Sequence, residues 1–187
     1  MPETERYELH NGVIVEILPT GLHERVVGLL NHKLNVWIDQ EELDYFIPNT
    51  VIVQPLGFES GYNPDIIVID PAKLSRESLW KKESVITLGT SVKLAIEVVS
   101  TNWPDDYARK FENYETLEIA EYWIVDYLGL GGRRYIGSPK QPTITVCQLI
   151  NGVYETTLFR ESDTISSVGC NSLQLSVEQI TRLAADA

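Results

Sequence analysis

Val92-Lys93-Leu94-Ala95-Ile96-Glu97-Val98-Val99 is an apolar run with a carboxylate deep inside it. Its nearly continuous apolar character is that of a strand covered on both faces. An unpartnered carboxylate there costs several kcal/mol, so Glu97 requires a cation, a proton or a hydrogen-bond donor beside it. Just downstream, Ser100-Thr101-Asn102 and Pro104-Asp105-Asp106 start a helix: capping residues, a first-turn proline and acids at the positive end. Tyr107, Phe111 and Tyr114 recur at helical spacing, and Tyr122-Trp123-Ile124-Val125-Asp126 is another apolar strand. Strand, helix and strand in this order form a βαβ crossover, which makes the two strands parallel.

Upstream, Pro64-Asp65-Ile66-Ile67-Val68-Ile69-Asp70 reads as a strand with Asp65 at its head, stopped by Pro71. The chain begins with a hairpin, Tyr7–His10 and Val13–Ile17, joined by Asn11-Gly12, a pair suited to positive φ at both turn positions. Thr20 caps a helix over 22–38 whose apolar face carries Leu22, Val26, Leu29, Leu30, Leu34 and Trp37. Asp44–Ile47, Val51–Gln54 and Val85–Leu88 are short strands. Ala72–Glu83 is a short helix or an exposed loop, and Gly129–Gly132 is the most flexible point. After it come strands at Arg133–Ile136, Thr143–Leu149 and Val153–Phe159, then a helix over Val177–Ala185.

At 187 residues, 43% hydrophobic and 22% charged, the chain is expected to be a single domain over 1–187 with one substantial core. No apolar run approaches a membrane span, and Met1–Arg6 lacks the apolar centre of a signal peptide, so the reading is cytoplasmic. Cys147 and Cys170 lack metal-ligand spacing and read as small packing residues. Twenty-seven acids against fifteen Lys and Arg give −12, the wrong sign for a tight polyanion binder. Bound divalent cations or a local basic strip would offset it.

Asp65 and Glu97 project to one side of one sheet end if their strands adjoin, with the Val98 carbonyl as a further hard oxygen. On the following helix, Lys110 falls on the flank of the Tyr107, Phe111 and Tyr114 face, whereas Arg109 falls on the opposite, solvent side. Two strand-borne carboxylates and a lysine are what metal-dependent phosphodiester cleavage needs. Glu16, on the second hairpin strand, is an additional acid able to approach this site. His23 opens the first helix on its apolar side, as a packed histidine, a base or a phosphate contact. Glu24 points outward. Ser100 lacks a nucleophile elbow and reads as a helix cap.

Pro64-Asp65, Glu97-Val98-Val99-Ser100, Lys110, Tyr114 and Glu121-Tyr122-Trp123-Ile124-Val125-Asp126 together resemble the Uma-type family of restriction endonucleases, within the PD-(D/E)XK nuclease superfamily. Tyr7-Glu8-Leu9, Asn11-Gly12, Glu16 and His23 also fit that family's N-terminal pattern. The resemblance implies a restriction-endonuclease-like α/β core in which Asp65 and Glu97 bind a divalent ion, Mg²⁺ or Mn²⁺. In the superfamily a lysine stands two residues after the acid, a position held here by Val99; in the Uma-type family it has moved to the following helix, which matches Lys110.

The expectation is an α/β fold: a restriction-endonuclease-like core with a mixed central sheet, flanking helices and a small C-terminal β extension. Its function would be metal-dependent DNA hydrolysis by a homodimer, catalysed with Asp65, Glu97, Lys110, Glu16 and His23. The alternative is a catalytically inactive nuclease-fold interaction module, and a hydrolase acting on RNA or a nucleotide would share the same site.

Overall fold

The computed structural model describes residues 6–57 and 59–185. The opening hairpin is β1 (Arg6–His10) and β2 (Val13–Ile17), and both turn residues take positive φ, 49° at Asn11 and 79° at Gly12. In α1 (Gly21–Gln40) the Thr20 hydroxyl accepts the His23 N–H at 3.2 Å, closing the N-terminus as the sequence requires. There follow β3 (Ile52–Val53), β4 (Ile66–Ile69), α2 (Trp80–Glu83), β5 (Val85–Ile86) and β6 (Val92–Val98). A π-helical segment, Asp105–Lys110, runs into α3 (Phe111–Thr116), and β7 (Glu121–Asp126) comes next. The chain then makes α4 (Arg133–Ile136), β8 (Thr143–Ile150), β9 (Val153–Arg160) and α5 (Val177–Ala185).

The central sheet has the order β4-β6-β7-β8-β9. Only β6 and β7 pair in parallel, as the crossover demands; the other three pairings are antiparallel. Both faces are buried at β4, β6 and β7, which is why these strands lack polar alternation, whereas β9 is largely exposed. On one face α1 and α5 set Val26, Leu30, Leu34 and Ile180 against Ile66, Val68, Ile96 and Trp123. On the other, Tyr107, Tyr114, Val53 and Ile86 pack over Ile67, Ala95, Tyr122 and Ile124. Leu30 is wholly buried in the first layer, so Leu30→Ala is expected to cost about 2–5 kcal/mol in urea unfolding.

Three local expectations are corrected. Arg133–Ile136 is a helical turn rather than a strand: Gly131-Gly132 releases the chain, and Tyr135 then stacks on Tyr107 while Ile136 is buried. Asp44–Ile47 contributes a single bridge, Phe46 to Ile69, because Pro48 ends any ladder. Gly129–Gly132 is tied down, with the Asp126 carboxylate accepting the N–H groups of Leu130 and Gly131 at 2.8 and 2.7 Å.

The outer edge of β9 is stopped at both ends by side chains. Glu115 Oε1 accepts the Tyr154 N–H at 2.6 Å and Asp163 Oδ2 accepts the Arg160 N–H at 2.8 Å. Cys147 and Cys170 are buried free thiols, raised in pKa by burial and therefore poor nucleophiles. No helix among the described residues is long and apolar enough to cross a membrane.

Candidate active site

Antiparallel pairing of β4 with β6 sets Ile66 opposite Ile96, so Asp65, one residue outward, comes level with Glu97 at the sheet end. The Val98 N–H donates to Asp65 Oδ2 at 2.8 Å. Alternation along β6 turns Leu94, Ile96 and Val98 toward α1 and Glu97 toward the opposite layer. There Lys110 Nζ stands 2.9 Å from Glu97 Oε2, and the Tyr114 hydroxyl donates to Glu97 Oε1 at 2.8 Å. The same ammonium lies 3.1 Å from Glu8 Oε1 and 3.4 Å from Asp106 Oδ1.

His23 enters from the α1 side. Its Nε2 is 3.2 Å from Asp65 Oδ2 and 3.1 Å from the Val98 carbonyl; both are acceptors, so Nε2 carries a proton. Its Nδ1 has Glu24 Oε1 at 3.5 Å and no hydrogen bond. Arg6 lies 3.7 Å from Asp65 Oδ1. Glu8, His23, Asp65, Glu97, Asp106 and Lys110 line a cavity of about 40 Å³.

Three carboxylates, Glu8, Glu97 and Asp106, therefore surround one buried lysine, and Asp65 adds its charge from farther off. Burial pushes the Glu97 pKa well above the usual carboxylate range despite Lys110, and the other acids add to the rise. Burial likewise raises Asp106 to about 7, against the pull of Lys110. Burial also opposes charge on Asp65, but His23, Lys110 and the Val98 N–H outweigh it and hold that pKa below its ordinary value. Burial disfavours the Lys110 ammonium, and Glu97, Asp106, Glu8 and Asp65 overcome it, so the lysine stays charged. For His23 the sense is the same: burial opposes the charge, and the Asp65 contact prevails and raises the pKa.

Asp65, Glu97, Val98, Lys110 and His23 are thus brought together. Glu16 is not: it is exposed, pairs with Tyr7 across the hairpin and does not line the cavity. Its place is taken by Glu8 of β1, which faces the opposite side of the hairpin. Arg109 is not free in solvent either, since it bonds His10 Nδ1 at 2.7 Å and Asp105 at 3.1 Å. Glu8, His10, Asp106 and Tyr114 are site residues that the sequence reading does not assign: Glu8 and Tyr114 enter it only through the family resemblance, and Asp106 only as a first-turn helix acid. The available signals were the alternation that puts Glu8 and His10 on one strand face and the i, i+4 spacing of Asp106 and Lys110.

The donor set fits a hard divalent cation. Asp65 Oδ2 is taken up by the Val98 N–H and His23, but Asp65 Oδ1 and both oxygens of Glu97 keep a lone pair beyond the one contact each makes, and the cluster holds more acids than cations. Among the described residues no three His, Cys, Asp or Glu side chains form a ready metal cage. Two carboxylates and the Val98 carbonyl leave coordination to water, which suits Mg²⁺, an ion that keeps several waters.

A mixed five-stranded sheet with helices on both faces, and acids and a lysine gathered at one end, is a nuclease-like architecture. The chain belongs to the Uma2 family, described as "Putative restriction endonuclease", whose model matches residues 1–178. A crystal structure from Anabaena variabilis, titled "a putative nuclease belonging to DUF820", shares the fold with a TM-score of 0.69 at 16% identity, over 98% of this chain and 94% of that one. No curated protein matches the sequence.

Proposed function

We propose that this chain is a PD-(D/E)XK deoxyribonuclease that hydrolyses DNA phosphodiester bonds with Mg²⁺ or Mn²⁺. Asp65, Glu97 and the Val98 carbonyl would hold the ion, which when bound supplies Lewis acidity and lowers the pKa of a coordinated water. The observation that carries the reading is Lys110 Nζ at 2.9 Å from Glu97, in one cavity with Asp65. The helix thereby delivers the cation that Val99 cannot.

Lys110 presents its ammonium to a non-bridging phosphate oxygen and stabilises the charge that gathers there as the water oxygen bonds to phosphorus and the sugar oxygen leaves. His23 orients Asp65: its Nε2 proton is shared between Asp65 and Val98, which leaves the unbonded Nδ1 as the one ring atom able to take a proton. Cutting both strands of a duplex calls for two such sites, most simply in a two-fold homodimer. The setting proposed is cytoplasmic.

The test is nicking of supercoiled plasmid in low salt with Mg²⁺ or Mn²⁺, using wild type beside Asp65→Ala and Lys110→Arg. Cleavage that needs the ion and is lost in Asp65→Ala supports the proposal. Equal cleavage by all three proteins, or none by wild type on DNA, overturns it. The net charge of −12 favours a second reading, a non-catalytic interaction module on the same core. That module would bind no Mn²⁺ at Asp65 and Glu97 in a calorimetric titration.

A further inference from the structure

The first strand of the hairpin turns its polar face inward. Glu8 and His10 are 4% and 6% exposed, whereas Tyr7 and Leu9 lie on the outer face. Such a face is costly to bury unless every polar group on it is bonded, and here the bonds run in one continuous chain. Arg109 Nη1 is 2.7 Å from His10 Nδ1. A guanidinium only donates, so Nδ1 accepts and the ring proton sits on Nε2. That nitrogen is 2.9 Å from Glu8 Oε2 and donates to it. The other oxygen, Oε1, takes the Asn63 N–H at 3.0 Å and the Lys110 ammonium at 3.1 Å. Glu8 is thereby fixed from three directions: its own strand, the loop before β4, and the π-helical segment.

We propose that Glu8, clamped by His10 and Arg109, is the positioning residue that holds the Lys110 ammonium against Glu97. This rests on the reading of Lys110 as the site cation. A lysine side chain has many rotamers, and a carboxylate able to swing would leave the ammonium free to drift toward Asp106, already 3.4 Å away. With both oxygens of Glu8 committed, Lys110 has one place to stand. Arg109 closes the chain at the surface, itself held by Asp105 at 3.1 Å. The π-helical turn is what allows consecutive residues, Arg109 and Lys110, to grip His10 and Glu8 of a single strand.

The experiment compares His10→Phe, His10→Gln and Glu8→Gln with wild type, each checked for folding by thermal melting. Phenylalanine fills the space of the ring without its hydrogen bonds; the glutamine amide can still accept from Arg109 and donate to Glu8. In the plasmid assay kcat is expected to fall about 10–100-fold in His10→Phe, with the KM for DNA unchanged, and to recover to within a few-fold in His10→Gln. Independently of activity, Lys110 is the one buried lysine among the described residues. Its ammonium should give a slowly exchanging signal in ¹H–¹⁵N spectra of lysine-labelled protein. That signal is expected to persist in His10→Gln and to be lost or broadened in His10→Phe and Glu8→Gln.

An unchanged ammonium signal in folded His10→Phe overturns the proposal. So does a Glu8→Gln variant whose only defect is a higher Mg²⁺ requirement, since Glu8 would then be a ligand. If wild type cleaves no nucleic acid, the nuclease reading fails and the ammonium signal alone decides whether Glu8 positions the lysine.

Discussion

Lys110→Met is expected to lower the unfolding free energy by about 3–5 kcal/mol at neutral pH. The lysine is 6% exposed and is the cation shared by Glu8, Glu97 and Asp106, with Asp65 adding to its field. Methionine keeps most of the volume but leaves those buried acids facing one another without a counter-charge. Lys110→Arg retains the charge and should lose less. The loss should also shrink on acidification, and Asp106 gives the sign. Its folded pKa is raised from 3.8 to about 7, so between those values the folded protein binds a proton that the unfolded chain does not. Stability tied to this group therefore rises as pH falls through that window, and the variant, lacking the counter-charge, gains more than wild type. Urea curves at roughly pH 5, inside that window, and roughly pH 7.5, above it, measure the change. An equal loss at both would mean that the acids do not titrate there.

Asp65→Asn is expected to reduce metal-dependent plasmid cleavage by on the order of 10²–10³-fold while leaving the fold intact. The amide oxygen can still accept the Val98 N–H that Asp65 Oδ2 now takes at 2.8 Å, so local geometry is kept while the anionic ligand is lost. Initial rates at saturating Mn²⁺ decide it. A variant within a few-fold of wild type would place the reacting centre elsewhere. Combining Asp65→Asn with Lys110→Arg should cost less than the sum of the two, because residues serving one reacting centre fail as a unit.

The framework of the site was legible because its signals are local. Asn11-Gly12 fixes the hairpin, Thr20 caps α1, and the helix after Ser100 makes β6 and β7 parallel. The acids at 65 and 97 stood out because each interrupts or heads an apolar run. Glu8 did not stand out, since a strand with one polar face ordinarily turns that face to water. Yet a two-residue turn pairs His10 with Val13, hence Glu8 with Val15 and Tyr7 with Glu16, which sets Glu8 and Glu16 on opposite faces. Only one of the two could enter the cavity, and which one depends on the loop carrying Gly61 and Asn63, a tertiary fact. The helical wheel at Lys110 assumed a regular α-helix; the π-helical turn at Asp105–Lys110 drew Arg109 onto His10 as well. Arg133–Ile136 misled for a simpler reason: four residues are too few for periodicity to separate strand from helical turn.

The carboxylates of Glu115 and Asp163 at the two ends of β9 bear on how the protein behaves at high concentration. An unguarded eight-residue edge is a template on which further chains can add, strand upon strand. Here the outward N–H groups of Tyr154 and Arg160 are already spoken for, and an incoming strand would find only the short middle around Thr156 and Leu158. Two acids that take no part in the site thus shorten the edge that the fifth strand offers for further pairing.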